Sequence, residues 1–447
     1  MVSQIAGEKS TYDEAFRAFQ EKLKGHEPSW LSRLRESAMS RFEQLGFPTT
    51  DDEEWKYTNV APIVKTRFEL EAPQANETGP DAAQLEPFLY EEARSSRLVF
   101  VNGFYRSELS STEALPKGTV ALDLSEALRS DLYAEVVREQ LARRADPNDN
   151  AFTALNTAFL SSGAFLLIPK AALTPAPIHL LFLSAPQGKD ALVSFPRVLV
   201  VAEEGSQATI IESYASLDEG AHLTNAVVEL VLSENARLEY YKVQRESQQA
   251  FHIATTTVDM GRGSHFDSTA ITMGARLARH DIAVTLDAEG AECWVDGLYI
   301  VGAGQHADTH SLIDHKQPHC ISHQLYKGIL DGKSRAVFNG KVFVREGAQK
   351  TDAMQKNKNL LLSDEARVDT KPQLEIFADD VKCAHGATVG QLEEEELFYL
   401  VSRGLSPELA RNLLTYGFAE EVIAKIKVES IKTQLDEAVL NRLHASL

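Results

Sequence analysis

Apolar positions along the chain change period twice. From 11 to 45 they recur every three to four residues: Phe16, Phe19 and Leu23, then Leu31, Leu34, Met39, Phe42 and Leu45. That spacing lines one helix face and predicts two helices, the second ending at Gly46. In GFPTTDDEEWKYTN, residues 46–59, Pro48 breaks helix, and Trp55 and Tyr57 stand two apart, as on one face of an extended segment. Residues 72–86 read as a polar loop. Residues 98–105 read as a short strand turning at Asn102-Gly103, and 122–144 as helix again.

From 151 the texture changes. β-branched and aromatic runs (195–201, 208–214, 226–232, 238–243, 253–260, 282–286) alternate with tight turns. Small residues at 208, 236, 264 and 291 follow four of those turns, at intervals of 28, 28 and 27. A repeat of this length built from strands and turns predicts a β-solenoid, each coil burying its inner face on the next. An antiparallel sandwich also yields short strands and glycine turns; the near-constant interval favours the solenoid. The last stretch returns to helix. Glu393–Glu396 suit a helix N-terminus, Gly404 ends a helix, Ser406-Pro407 caps the next with Gly417 as its stop, and Ile431, Leu435, Val439 and Leu443 stripe the last. The organisation expected is a mostly helical domain at 1–150, a mainly β core at 151–390 and a helical domain at 391–447.

Composition narrows the partners. Of the 447 residues, 43% are apolar and 25% charged, as in ordinary globular chains. The net charge of −20 argues against nucleic acid and against an anionic membrane surface. The N-terminus lacks the basic and apolar regions of a secretory signal, and the longest apolar stretch, 165–186, is broken by prolines, Lys170 and His179. Cysteines at 293, 320 and 383 form no disulfide framework. A cytoplasmic location is the simplest, and an organelle stroma after loss of a transit peptide fits as well.

Candidate chemistry centres on residues 377–392, FADDVKCAHGATVGQL. If this is a strand, Val381, Cys383, His385 and Ala387 share one face, with the thiol and imidazole about 7 Å apart along the chain. Both side chains ligate soft or borderline metals. A lone Cys or His is more often a packing residue. Asp331-Gly332-Lys333-Ser334 ends like a phosphate-binding loop, but the first glycine would have to be residue 327, which is Lys327, and a strand follows instead of a helix. His306, Asp308, His310, Asp314, His315, His319, Cys320 and His323 are the densest polar group. They would serve a metal-dependent hydrolase or a sugar-acting β-helix enzyme, yet lack H-E-x-x-H or C-x-x-C spacing; a polar outer face is the plainer reading. The nucleophile elbow Gly-x-Ser-x-Gly is absent from the sequence.

Residues 321–405, from ISHQLYKGILDGKSRAVFNGKVFV to VKCAHGATVGQLEEEELFYLVSRGL, closely resemble the SufB/SufD family of iron–sulfur cluster assembly proteins. GFPTTDDEEWKYTN and the Cys-x-His of VKCAHGATVG are similar to its SufD branch. The resemblance implies a right-handed parallel β-helix core flanked by N-terminal and C-terminal helical domains. It implies a non-enzymatic subunit that supports iron entry and pairs with a SufB-like paralogue through the β-helix. A SufC-like ABC ATPase would dock on the C-terminal helices, and a homodimer is the alternative for the chain alone. In family terms Cys383 and His385 lie at the paralogue interface as candidate iron or cluster contacts. The implied cargo is a transient iron–sulfur cluster or iron shared with the partner, with none held tightly by the chain alone; a reduced flavin in the complex is left open. Clusters usually take four thiolates. Three scattered cysteines cannot supply them, so a site here is shared or transient.

Overall fold

Alternate strands along the chain join alternate sheets, which is how a coiled strip of backbone builds a solenoid. In the computed structural model, which describes residues 2–25, 27–69, 79–185 and 191–445, His222–Leu232 pairs with Phe251–Met260, and Arg237–Arg245 with His265–Met273, both in parallel. The alternation runs to Arg367–Ile376, which ends the first sheet, and Lys382–Gly390, which ends the second. Gln207, Arg237, His265, Glu292, Ile321, Asp352 and Lys382 stack in one row, so a coil takes 27 to 31 residues. The core is the parallel β-solenoid that the repeat predicts, flanked by N- and C-terminal helical regions.

One turn position explains the repeat. Gly205, Asn235, Gly263, Gly290, His319 and Lys350 all adopt positive φ, between 58° and 71°, a region costly for side chains other than glycine and asparagine. Each precedes a small residue that tucks inward: Ser206, Ala236, Ser264, Ala291, Cys320 and Thr351, all buried. The sequence spacing started this series at Ala208; the register starts it two residues earlier, at Ser206.

The helical regions cover outer faces of the two sheets. Phe16, Met39 and Phe42, on Val2–Leu23 and Ser29–Leu45, pack with Leu155 and Phe159. Trp55, Ile63 and Phe68 pack with Leu223, Phe251 and Leu277 on the first sheet. Residues 97–123 also feed the sheets: Arg97–Val101 extends the second in parallel, and Val120–Asp123 extends the first antiparallel. The single helix expected at 122–144 is therefore that strand followed by the short helices Leu124–Ala127 and Ala134–Gln140. Part of the expected 72–86 loop lies outside the described residues; within the rest, Asp81 caps the helix Ala82–Leu85.

At the other terminus, helices Glu394–Ser402, Pro407–Ile423 and Glu429–Ala445 follow the last strand. Ser406 accepts from the Leu409 N–H, and Gly404 takes φ 99° between the first two helices. Gly417 does not stop its helix, which continues to Ile423. Val422, Ile423, Ile431 and Leu435 pack on Ile211, Val243, Ile271, Leu298 and Ile329, an outer face of the second sheet. Helices Pro407–Ile423 and Glu429–Ala445 could have closed the open end of the solenoid. They cover a face instead, because the apolar residues that attract them stand on that face.

Candidate metal contact at the open end of the solenoid

Register fixes which way the last strand's side chains are set. Cys383 pairs with Ala353 and His385 with Gln355. Ala353 and Gln355 are buried, and Ala353 belongs to the main interior cluster. Cys383 and His385 thus continue an inner row, on the shared face that alternation predicts. Among the described residues no further coil follows in either sheet. His385, which would be interior one coil earlier, is exposed, while Cys383 is half-buried against Val381 and the interior cluster. Val368 and Leu374 on the last strand of the first sheet are also only partly buried, and Ile376, Phe377 and Val389 are exposed. Among the described residues, one edge of each terminal strand, Arg367–Ile376 and Lys382–Gly390, has no strand beside it. Such an edge is a template for strand addition.

Burial pushes the Cys383 thiol up, and the Asp352 carboxylate adds to the shift. The thiolate is the form that ligates metal, and this shift disfavours it in the chain alone. Among the described residues, no group of three or more His, Cys, Asp or Glu side chains is arranged to hold a metal ion. Cys383 and His385 place two donor-type side chains on one face of the last strand.

The histidine-rich stretch 306–323 does not converge. His306, Asp308 and His310 share the outer face of the first sheet, where residues 53–58 lie over them. Thr58 donates to Asp308 at 2.6 Å and stands 2.8 Å from His306 Nε2. Arg279 reaches Asp308 at 2.9 Å, Asp281 at 2.8 Å and the Glu54 carbonyl at 2.7 Å, with its guanidinium 3.8 Å from the centre of the Trp55 ring. His310 meets Asp308 at 3.1 Å and Glu54 at 3.2 Å. Burial opposes its charge, but Asp308 and Glu54 outweigh burial and push its pKa up to about 9. Asp308 is likewise held far below the usual carboxylate range, Arg279 and His310 outweighing its burial. A protonated imidazole cannot ligate. This is a clamp for the 53–58 segment. The other members scatter: His315 points inside, bonded to Ser322 at 2.8 Å; His319 occupies the left-handed turn; His323 stacks on Trp294 at 5.5 Å. Beside the clamp a cleft of about 600 Å³ is lined by Arg144, Lys341 and Arg345, each already paired, with Asp259, Glu375 and Asp314.

Sequence reasoning missed the polar side chains buried within the solenoid. Glu246 accepts from Thr224 and Gln244, with His222 and His252 beside it. Nearer the end, Ser311, Gln324, Gln355, Asn357 and Asn359 bond among themselves and to Tyr299. Gln, Asn and Ser on regular inward parity within a β repeat were the available signal.

Two family profiles match the chain: "SufBD protein N-terminal region" over residues 6–180 and "SUF system FeS cluster assembly, SufBD core domain" over 183–418. An iron–sulfur cluster assembly SufBD family protein of Synechocystis is 38% identical over 441 residues, 96% of this chain and 95% of that one. The iron–sulfur cluster assembly protein SufD of Escherichia coli is 31% identical over 411 residues, 91% of this chain and 92% of its own. The SufD of Bacillus subtilis is 28% identical over 443 residues, 96% of this chain and 97% of its own.

Proposed function

The chain belongs to the SufBD family of iron–sulfur cluster assembly proteins, and we propose that it is a non-enzymatic, SufD-like subunit presenting Cys383 and His385 to a SufB-like partner. The observation that carries this reading is the uncovered inner row of the last coil. There a thiol stays half-buried and an imidazole is exposed because the solenoid stops. A second β-solenoid abutting this edge pairs its strands with Arg367–Ile376 and Lys382–Gly390, buries Val368, Leu374 and Val389, and supplies the missing ligands. Iron or a nascent cluster is the cargo of that shared site. Two donors alone bind weakly, whereas closed four-ligand sites such as structural zinc are worth about 10–16 kcal/mol, so the isolated chain purifies largely without metal.

The energy source belongs to another subunit. Asp331-Gly332-Lys333-Ser334 forms a tight turn with Gly332 at φ 56°, and the strand Arg335–Val344 follows it. No helix N-terminus stands there to receive phosphate. A SufC-like ATPase docks on the C-terminal helices, where Phe398, Tyr399, Leu409 and Leu413 are about half exposed or more. Among the described residues no helix is long and apolar enough to cross a membrane, which is compatible with work in the cytoplasm.

The test uses the co-expressed three-component assembly. Cys383→Ser and His385→Ala leave partner capture intact and lower cluster yield, His385→Ala the more. Normal yield in both variants would remove the metal role. Phe398→Asp should weaken ATPase capture by about 2 kcal/mol, the scale of an aromatic hot spot, without loss of the SufB-like partner.

A further inference from the structure

The inner rows of the last coils carry a ladder of amides. Gln324 and Gln355 are register neighbours, and Gln355 Nε2 donates to Gln324 Oε1 at 2.8 Å. Ser311, from the opposite sheet, donates to the same oxygen at 3.2 Å. With its nitrogen committed to the rung before, the Gln355 amide keeps its own Oε1 for the rung after. Space for this amide is made across the interior by Gly340, where an added Cβ would stand 2.5 Å from Gln355 Nε2. Gln355 is fully buried, yet its Oε1 has no hydrogen-bond partner among the described residues. Buried acceptors are almost always paired, so this one is either satisfied from the next rung or left orphaned. The next rung is His385, the register neighbour of Gln355, one strand spacing of about 4.8 Å away.

We propose that Gln355 is a positioning residue for His385: its Oε1 accepts one imidazole N–H, which selects a single tautomer and leaves the other ring nitrogen bare for a ligand at the open end. Stacked amides in parallel strands repeat one bond from rung to rung, and a ring N–H continues the series where the amides stop. Metal-binding histidines characteristically hold the second nitrogen on a carbonyl or carboxylate in this way. The hydrogen bond stands on geometry alone; its consequence for iron rests on the metal role proposed above for His385.

The experiment uses the full chain labelled with nitrogen-15 at histidine, with the His385 signals assigned by their loss in His385→Ala. In mildly alkaline buffer the parent should show one protonated and one bare ring nitrogen at His385. Gln355→Met keeps the length and removes the acceptor, so the two shifts should move toward each other as tautomers mix. Gln355→Glu restores an acceptor, which the spare Gln324 Nε2 can support, and should restore the single tautomer. Unchanged His385 shifts in Gln355→Met would overturn the proposal. So would a Gln355→Glu protein that leaves the tautomers mixed while its other histidine signals match the parent. In the assembled complex, ferrous ion affinity should fall about tenfold to a hundredfold with Gln355→Met and recover with Gln355→Glu. A shifted tautomer with unchanged ferrous affinity would overturn the metal reading of His385 and leave only the hydrogen bond.

Discussion

His310 and His385 stand near the same end of one solenoid, yet they are opposite cases. His310 lies on an outer face beneath residues 53–58, between Asp308 and Glu54, with Arg279 and Thr58 completing the group. Each charge there has an opposite charge beside it, and the imidazole is kept protonated. His385 lies on an inner row that has lost its cover, over the buried Gln355 side-chain oxygen that no other described residue pairs. A histidine whose neighbours neutralise it holds a structure together. One left open by the end of a repeat is available for chemistry. A count of histidines along the sequence ranks 306–323 first; their partners rank it second.

The contrast should appear first in stability. Asp308→Ala removes the buried carboxylate shared by Arg279 and His310, leaving them only Asp281 and Glu54, and should cost about 3 kcal/mol, the lower end of the usual penalty for breaking a buried pair from one side. Denaturant unfolding of the isolated chain measures it, and a loss below about 1 kcal/mol would dissolve the clamp. Next comes pH. His310 has a folded pKa of about 9 against an unfolded value near ~6.5. Its contribution, up to roughly 3 kcal/mol, is therefore fully present below the unfolded value and lost as pH rises through about 9. The stability gap between the parent and His310→Gln should close across that window; a constant gap would show that His310 is not held charged. The smallest effect belongs to the open end. Cys383→Ser and His385→Ala should each change the stability of the isolated chain by less than about 1 kcal/mol. A loss on the scale of Asp308→Ala would return both residues to packing.

The repeat was legible because a turn needing positive φ recurs once per coil, at Gly205, Asn235, Gly263 and Gly290. Its phase was not, since strands buried on both faces lose the apolar alternation that tells inside from outside. Ala208 fits the spacing as well as Ser206 for that reason. The same ambiguity concealed the Gln324–Gln355 ladder. Cys383 and His385 could be placed on one strand face from spacing. That this face is an interior left open could not, because it depends on where the C-terminal helices fold. They lie along the second sheet, drawn by Ile211, Ile271 and Leu298. The scatter of 306–323 was equally hidden: His319 is set by its turn, His323 by Trp294 and His310 by a carboxylate 256 residues earlier in the chain.

The central claim is that the site is half-built in this chain and completed by a partner. Anaerobic titration with ferrous ion tests it most directly, comparing the isolated chain, the chain assembled with its SufB-like partner, and the same assembly carrying His385→Ala. The account predicts weak binding to the chain alone, at least tenfold tighter binding to the assembly, and return to the weak value with His385→Ala. Equal affinity for the chain alone and in the assembly, or tight binding that survives His385→Ala, would contradict it.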